Sequence, residues 1–127
     1  MRRDQTILLV EDENSVLIAG RVLLERLAYT VMTATNGDEA LRIYQQHQNE
    51  IALVLTDVRM PEMDGHELYA ALKRINPEVK ALLMSAHHVE DWTTDPQMAG
   101  LKGVLQKPFG LDSLGRAVRQ ALEKEAA

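Results

Sequence analysis

The chain has 127 residues, 46% of them apolar and 26% charged, with a formal net charge of −5 and no cysteine. That length suits one domain with a core that needs no staples, and the missing cysteines exclude disulfides, thiolate chemistry and cysteine-ligated zinc. The acidic balance gives no electrostatic basis for direct binding to nucleic acid.

The N-terminus, Met1-Arg2-Arg3-Asp4, opens no apolar stretch of the kind a signal peptide needs. The longest apolar runs are four or five residues, far below the roughly 20 of a membrane span. Both features fit a cytoplasmic protein that avoids membranes.

The first apolar run is Ile7-Leu8-Leu9-Val10. It does not alternate with polar residues, which marks a strand buried on both faces, as in a parallel sheet covered by helices. A helical period follows: Val16, Leu23 and Leu27 share a face, with Leu17 and Leu24 beside it. Thr30 to Thr35 alternates more and suits an edge strand. Asn36-Gly37-Asp38 supplies a turn and an N-cap for a shorter helix marked by Ala40, Leu41 and Tyr44. Ile51 to Leu55 is the third strand. Leu68, Ala71, Leu72 and Ile75 then match the i, i+3, i+4, i+7 template.

Ala81 to Met84 is the fourth strand and Val104-Leu105 a weaker fifth. Leu111, Leu114, Val118, Ala121 and Leu122 mark the last helix. Between the fourth and fifth strands Pro96 interrupts the pattern. Asp95 is a good N-cap and proline is favoured in a first helical turn, so a helix is expected to begin there, with a loop or frayed turn from residue 87 to 95.

The order is βαβαβαβαβα, which implies a parallel sheet with right-handed crossovers. The fold expected is a single-domain α/β structure over residues 1–127, doubly wound around a five-stranded parallel sheet and flavodoxin-like. No repeat or linker interrupts it. The chain ends with its last helix, so an attached output domain is not expected.

Doubly wound sheets bind ligands beyond the carboxyl ends of their strands. Glu11-Asp12 follows the first strand, Asp57 ends the third, Ser85 follows the fourth and Lys107-Pro108 the fifth. With strand order 2-1-3-4-5, Glu11, Asp12 and Asp57 converge, flanked by Ser85 and Lys107. Taken singly, each is an ordinary cap or turn residue. Their joint placement points to a site.

Three close carboxylates repel each other unless a hard cation sits among them, and Mg2+, with its taste for oxygen ligands and phosphate, suits the set. With the ion bound, one carboxylate can attack a phosphoryl group and become an acyl phosphate. A lysine ammonium and a serine hydroxyl can then meet the phosphoryl oxygens.

The sequence resembles the receiver domains of two-component response regulators, and chemotaxis-regulator-like proteins in particular. The likeness lies in ILLVEDE (Ile7 to Glu13), LVLTDVRMPEMDG (Leu53 to Gly65), LLMSA (Leu82 to Ala86) and LQKPF (Leu105 to Phe109). It implies that Asp57 is the phosphoacceptor. It also implies that Asp12 binds Mg2+ directly, Glu11 mostly through water, and the main-chain carbonyl of Arg59 as a third protein ligand. Ser85 would be the switch hydroxyl and Lys107 the phosphoryl clamp, aimed inward by a cis bond to Pro108.

The implied partner is a histidine kinase or histidine phosphotransfer protein. The downstream output stays open, and a homodimer is compatible with the reading. The module would assist its own phosphorylation and dephosphorylation without being an enzyme with a turnover substrate.

Three departures stand out. Glu11 replaces the usual aspartate, Val104 the usual aromatic that couples phosphorylation to the output face, and Asp95-Pro96 breaks the fourth helix. His87, His88 and Trp92 read as loop or packing residues, as do Met60 and Met63. Two rival readings are a Mg2+-dependent aspartyl-phosphate phosphatase and a receiver-like module that is never phosphorylated. The first would want Asp-x-Asp after the first strand, and Arg59 stands two after Asp57. The second is opposed by the intact Asp12, Asp57, Ser85 and Lys107.

Overall fold

The residues that read apolar throughout form the centre of the sheet. In the computed structural model, which describes residues 5–86 and 95–123, β1 (Thr6–Val10), β3 (Ile51–Asp57) and β4 (Ala81–Ser85) are almost wholly buried. β2 (Thr30–Ala34) and β5 (Gly103–Gln106) are more exposed and lie at the two edges. All four pairings are parallel, and the order is β2-β1-β3-β4-β5. The expected flavodoxin-like sheet is therefore present, with Thr30 to Ala34 at the edge where its alternation places it.

Because side chains alternate across a strand, each strand feeds two cores. Leu8, Val10, Val54 and Leu83 point to one side, where Tyr44 of α2 (Gly37–His47) and Leu68, Tyr69 and Leu72 of α3 (Gly65–Ile75) cover them. Ile7, Leu9, Leu53, Leu55, Leu82 and Met84 point to the other. There Leu17 and Leu24 of α1 (Asn14–Arg26) and Leu114 and Val118 of α4 (Leu111–Leu122) close the layer. Each fully buried Leu in these layers contributes about 1.5–3 kcal/mol.

The helix starts follow from local chemistry. Asn36 Oδ1 accepts from the Glu39 amide at 2.8 Å and opens α2. Asp64 and Glu67 form a reciprocal capping box at α3, with both bonds at 2.9 Å. α1 buries the row Leu17, Gly20 and Leu24, while Val16, Leu23 and Leu27 are half-buried. That reverses the expected ranking of the two faces. Gly20 accounts for it: a Cβ there would lie 3.2 Å from Leu9, so the helix lies closest to β1 along the Gly20 row.

The fourth crossover differs from expectation. Asp95 does cap, accepting from the Gln97 amide at 2.9 Å, but only one 3₁₀ turn, Pro96–Met98, follows. The described residues thus hold four α-helices where five were expected. The cause is short-range. Met98 and Leu101 both turn into the core beside α3, and Gly100 takes a φ of +89°, which ends any helix before β5 begins at Gly103. The expected loop from 87 to 95, with His87, His88 and Trp92, lies outside the described residues except for Asp95.

The turn is pinned to α3. Tyr69 Oη donates to the Ala99 carbonyl at 2.9 Å, and Lys73 Nζ donates to the same oxygen at 2.7 Å. Met60 is buried, and Met63 packs on α2 so closely that a Cβ on Gly37 would meet its sulfur. Both methionines are packing residues, as expected.

Candidate functional site

Parallel pairing brings the strand ends together. Val10 stands beside Thr56, Asp57 beside Met84, and Ser85 beside Gln106. The residues that follow β1 and β5, Glu11 and Lys107, therefore flank Asp57 from either side. Backbone bonds fix the rim: Glu11 N donates to Ala34 O at 3.0 Å, Val58 N to Met84 O at 2.9 Å, and Lys107 N to Ser85 O at 2.7 Å.

Glu11, Asp12 and Asp57 each offer a carboxylate oxygen, and these oxygens lie within 4.8 Å of one another. Glu11 is 1% exposed, Asp57 8% and Ser85 4%, whereas Asp12 faces solvent. The Lys107 ammonium enters from the β5 side. It lies 2.7 Å from Glu11 Oε1 and 3.3 Å from Asp57 Oδ1. The Lys107–Pro108 bond is cis, as the resemblance implied. Arg59 lies two residues past Asp57, exposed at the start of the β3–α3 loop.

The electrostatics are those of an over-acidic pocket. Three carboxylates and one ammonium sum to two negative charges, which one divalent cation would neutralise. Burial pushes the Glu11 carboxyl above the usual range, against the pull of its hydrogen bonds to Lys107 and to the Glu13 amide, and the Asp57 charge adds to the rise. Burial alone would lower the Lys107 ammonium. The hydrogen bond to Glu11 and the Asp57 and Glu11 charges outweigh it, so Lys107 is raised. A lone ion pair would lower its acid. Glu11 rises because it is buried beside a second carboxylate. That is the condition a bound cation relieves, so the donor set fits Mg2+.

Sequence patterning alone passes over one structural residue. Gly65 opens α3 with its amide donating to Val58 O at 2.8 Å, and a Cβ there would lie 2.5 Å from the Asp57 carbonyl oxygen. The Asp64-Gly65 pair at a helix start is the signal that points to it. The pairing of Glu11 with Lys107 had no comparable signal, since it depends on side-chain reach across the sheet.

The chain matches the family model described as response regulator receiver domain over residues 7–119. It is 38% identical over 120 residues to the sensor kinase CckA of Brucella abortus (strain 2308), covering 94% of this chain and 13% of that protein. It is 32% identical over 120 residues to the transcriptional regulatory protein GlrR of Escherichia coli (strain K12), covering 94% of this chain and 27% of that one. The chain thus spans only a small part of these curated relatives.

Among solved structures, a response regulator receiver domain protein from Clostridium thermocellum superposes with a TM-score of 0.84 at 30% identity, covering 92% of this chain and 93% of that one. The response regulator TrrA of Thermotoga maritima, solved with Mg2+-BeF, gives 0.82 at 26% identity, covering 93% and 99%. A parallel 2-1-3-4-5 sheet, an acidic cluster with a facing lysine at its carboxyl edge, and a family match across nearly the whole chain make this protein a member of the response regulator receiver domain family of two-component systems.

Proposed function

We propose that Asp57 accepts a phosphoryl group from a histidine kinase or histidine phosphotransfer protein in a Mg2+-dependent reaction. The observation that carries this is the packing of three carboxylate oxygens within 4.8 Å, with the Lys107 ammonium 3.3 Å from Asp57 Oδ1.

Asp12 and Asp57 would hold the ion directly, with the Arg59 carbonyl, while Glu11 would act mostly through water. When bound, Mg2+ supplies charge neutralisation for the carboxylates and the phosphoryl oxygens. Everything else falls to the chain. An Asp57 carboxylate oxygen attacks phosphorus, the bond from phosphorus to the donor imidazole nitrogen breaks, and that nitrogen keeps the electron pair. Lys107 holds one phosphoryl oxygen as a point charge. The Ser85 hydroxyl, at the end of β4, donates to another. Attack by water on phosphorus later restores the carboxylate.

Residues 1–127 form one receiver unit in this reading, and the setting is cytoplasmic. No helix among the described residues is long and apolar enough to cross a membrane. The output segment or protein that reads the phosphorylated state belongs to a longer signalling protein or a separate partner.

Intact-mass measurement after incubation with acetyl phosphate and Mg2+ tests the assignment. One added phosphoryl group is expected on the natural chain and none on Asp57→Asn. Equal labelling of the two would refute it.

A further inference from the structure

We propose that Thr56 is a positioning residue for Asp57: its hydroxyl holds the peptide that leads out of the phosphoacceptor and so sets where the carboxylate stands. The proposal deepens, and rests on, the reading of Asp57 as phosphoacceptor.

Thr56 puts a hydroxyl where the strand calls for apolar surface. It is 0% exposed, and its register partners Val10 and Leu83 belong to the apolar layer under α2 and α3. Valine has nearly the same shape and would bring no polar atom into that layer. A buried hydroxyl needs an acceptor. Thr56 Oγ1 finds one in the next residue, donating to the Asp57 carbonyl oxygen at 3.1 Å. Threonine is stiff at χ1, so the hydroxyl stays on that oxygen.

The oxygen belongs to the peptide plane between Asp57 and Val58. The other edge of that plane, the Val58 amide, donates to Met84 O at 2.9 Å. A planar peptide gripped at both edges cannot tilt. The grip fixes ψ of Asp57 and φ of Val58, and leaves Asp57 only its side-chain torsions. Two neighbours depend on the same plane. The Val58 carbonyl receives the Gly65 amide at 2.8 Å, so the start of α3 is seated on it. Arg59, whose carbonyl is the proposed third ligand to Mg2+, follows directly after Val58. A shift of about 1 Å at a reacting group can slow a reaction about a hundredfold. A partial tilt of this plane is therefore felt in the reaction before it is felt in the fold.

Substitutions at position 56 separate the hydroxyl from the methyl. Thr56→Ser keeps the hydroxyl, Thr56→Val keeps the methyl groups, and Thr56→Ala keeps neither. Stability in urea should follow packed volume, with Thr56→Val near the natural chain and Thr56→Ser and Thr56→Ala below it. The rate of labelling by acetyl phosphate at saturating Mg2+ should follow the hydroxyl instead. Thr56→Ser should label near the natural rate, and Thr56→Val and Thr56→Ala about tenfold more slowly. Amide hydrogen exchange gives a readout that needs no phosphoryl group. Val54, whose amide donates to Lys80 O at 2.9 Å, reports β3 as a whole. The exchange rate of Val58 relative to Val54 should rise severalfold in Thr56→Val and Thr56→Ala, and stay natural in Thr56→Ser. Where one variant fails to fold, the natural chain against Thr56→Val, or Thr56→Ser against Thr56→Ala, still isolates the hydroxyl. Equal labelling rates throughout, or rates that follow stability, would overturn the proposal. If the natural chain takes no phosphoryl group, the phosphoacceptor reading fails, and the amide ratio still decides whether Thr56 holds the peptide.

Discussion

A Cβ on Gly65 would lie 2.5 Å from the backbone oxygen of Asp57 and 3.0 Å from the Cα of Val58. The start of α3 and the end of β3 are therefore in contact through a position that has room only for hydrogen. Gly65→Ala gains helix propensity, at most roughly 1 kcal/mol. Overpacking against backbone that cannot swing aside costs about 1–3 kcal/mol, so the clash wins. The variant should be less stable in urea. It should also be labelled by acetyl phosphate on the order of tenfold more slowly, because the carboxylate proposed as phosphoacceptor is displaced. Natural stability and natural labelling rate together would show that the contact relaxes freely.

The acidic cluster makes a second prediction about metal. Asp12 faces solvent beside the buried Glu11 and Asp57. In chelator, Asp12→Asn removes one charge from the repelling set and should raise the melting temperature by about 2–4 °C. With saturating Mg2+ the natural chain should gain stability and the variant should gain little. Thermal scans of both proteins in both conditions are the check. A lower melting temperature for the variant in chelator, with the fold retained, contradicts the repulsion argument.

Tyr69 carries a prediction about pH, well away from that cluster. Burial pushes its phenol above the ordinary value while its hydroxyl donates to the Ala99 carbonyl. As pH rises, the unfolded chain loses this proton first, from about pH 10. The folded chain holds it longer. The stability this group contributes is complete below that pH and is lost as pH climbs toward the folded value. Tyr69→Phe should therefore flatten the alkaline limb of the stability curve. At neutral pH it should cost only about 0.5–1.5 kcal/mol, because Lys73 still donates to the same carbonyl at 2.7 Å. Lys107 is also raised, and its alkaline slope is shared by both proteins, so their difference isolates Tyr69. Parallel curves for the two proteins would sink the idea.

Much of this was legible in the sequence, for identifiable reasons. Ile7 to Val10 and Ala81 to Met84 are apolar without a break, and only a doubly covered strand tolerates that. Asp57, Ser85 and Lys107 were legible because each stands at or just past the end of such a run, where α/β sheets place ligands. α1 was harder. Val16, Leu17, Leu23 and Leu24 span more than one face, and the Gly20 row that decides between them has no side chain to notice. The fourth crossover was harder still. A cap at Asp95 and a proline at 96 say that a helix can start, but not that Gly100 and the burial of Met98 and Leu101 stop it within one turn.

The division of the sheet into two unconnected cores has an evolutionary corollary. Leu8 and Leu9 are neighbours in the chain, yet one packs toward α2 and α3 and the other toward α1 and α4. A volume lost at Leu72 can be refilled by a larger residue on α2, but no change in Leu114 or Val118 reaches that space. Compensating substitutions should therefore pair α2 with α3, and α1 with α4, while changes drawn from opposite faces simply add. Each face is free to drift at its own pace. What they hold in common is the backbone of β1, β3 and β4, and with it the placing of Glu11, Asp57 and Ser85.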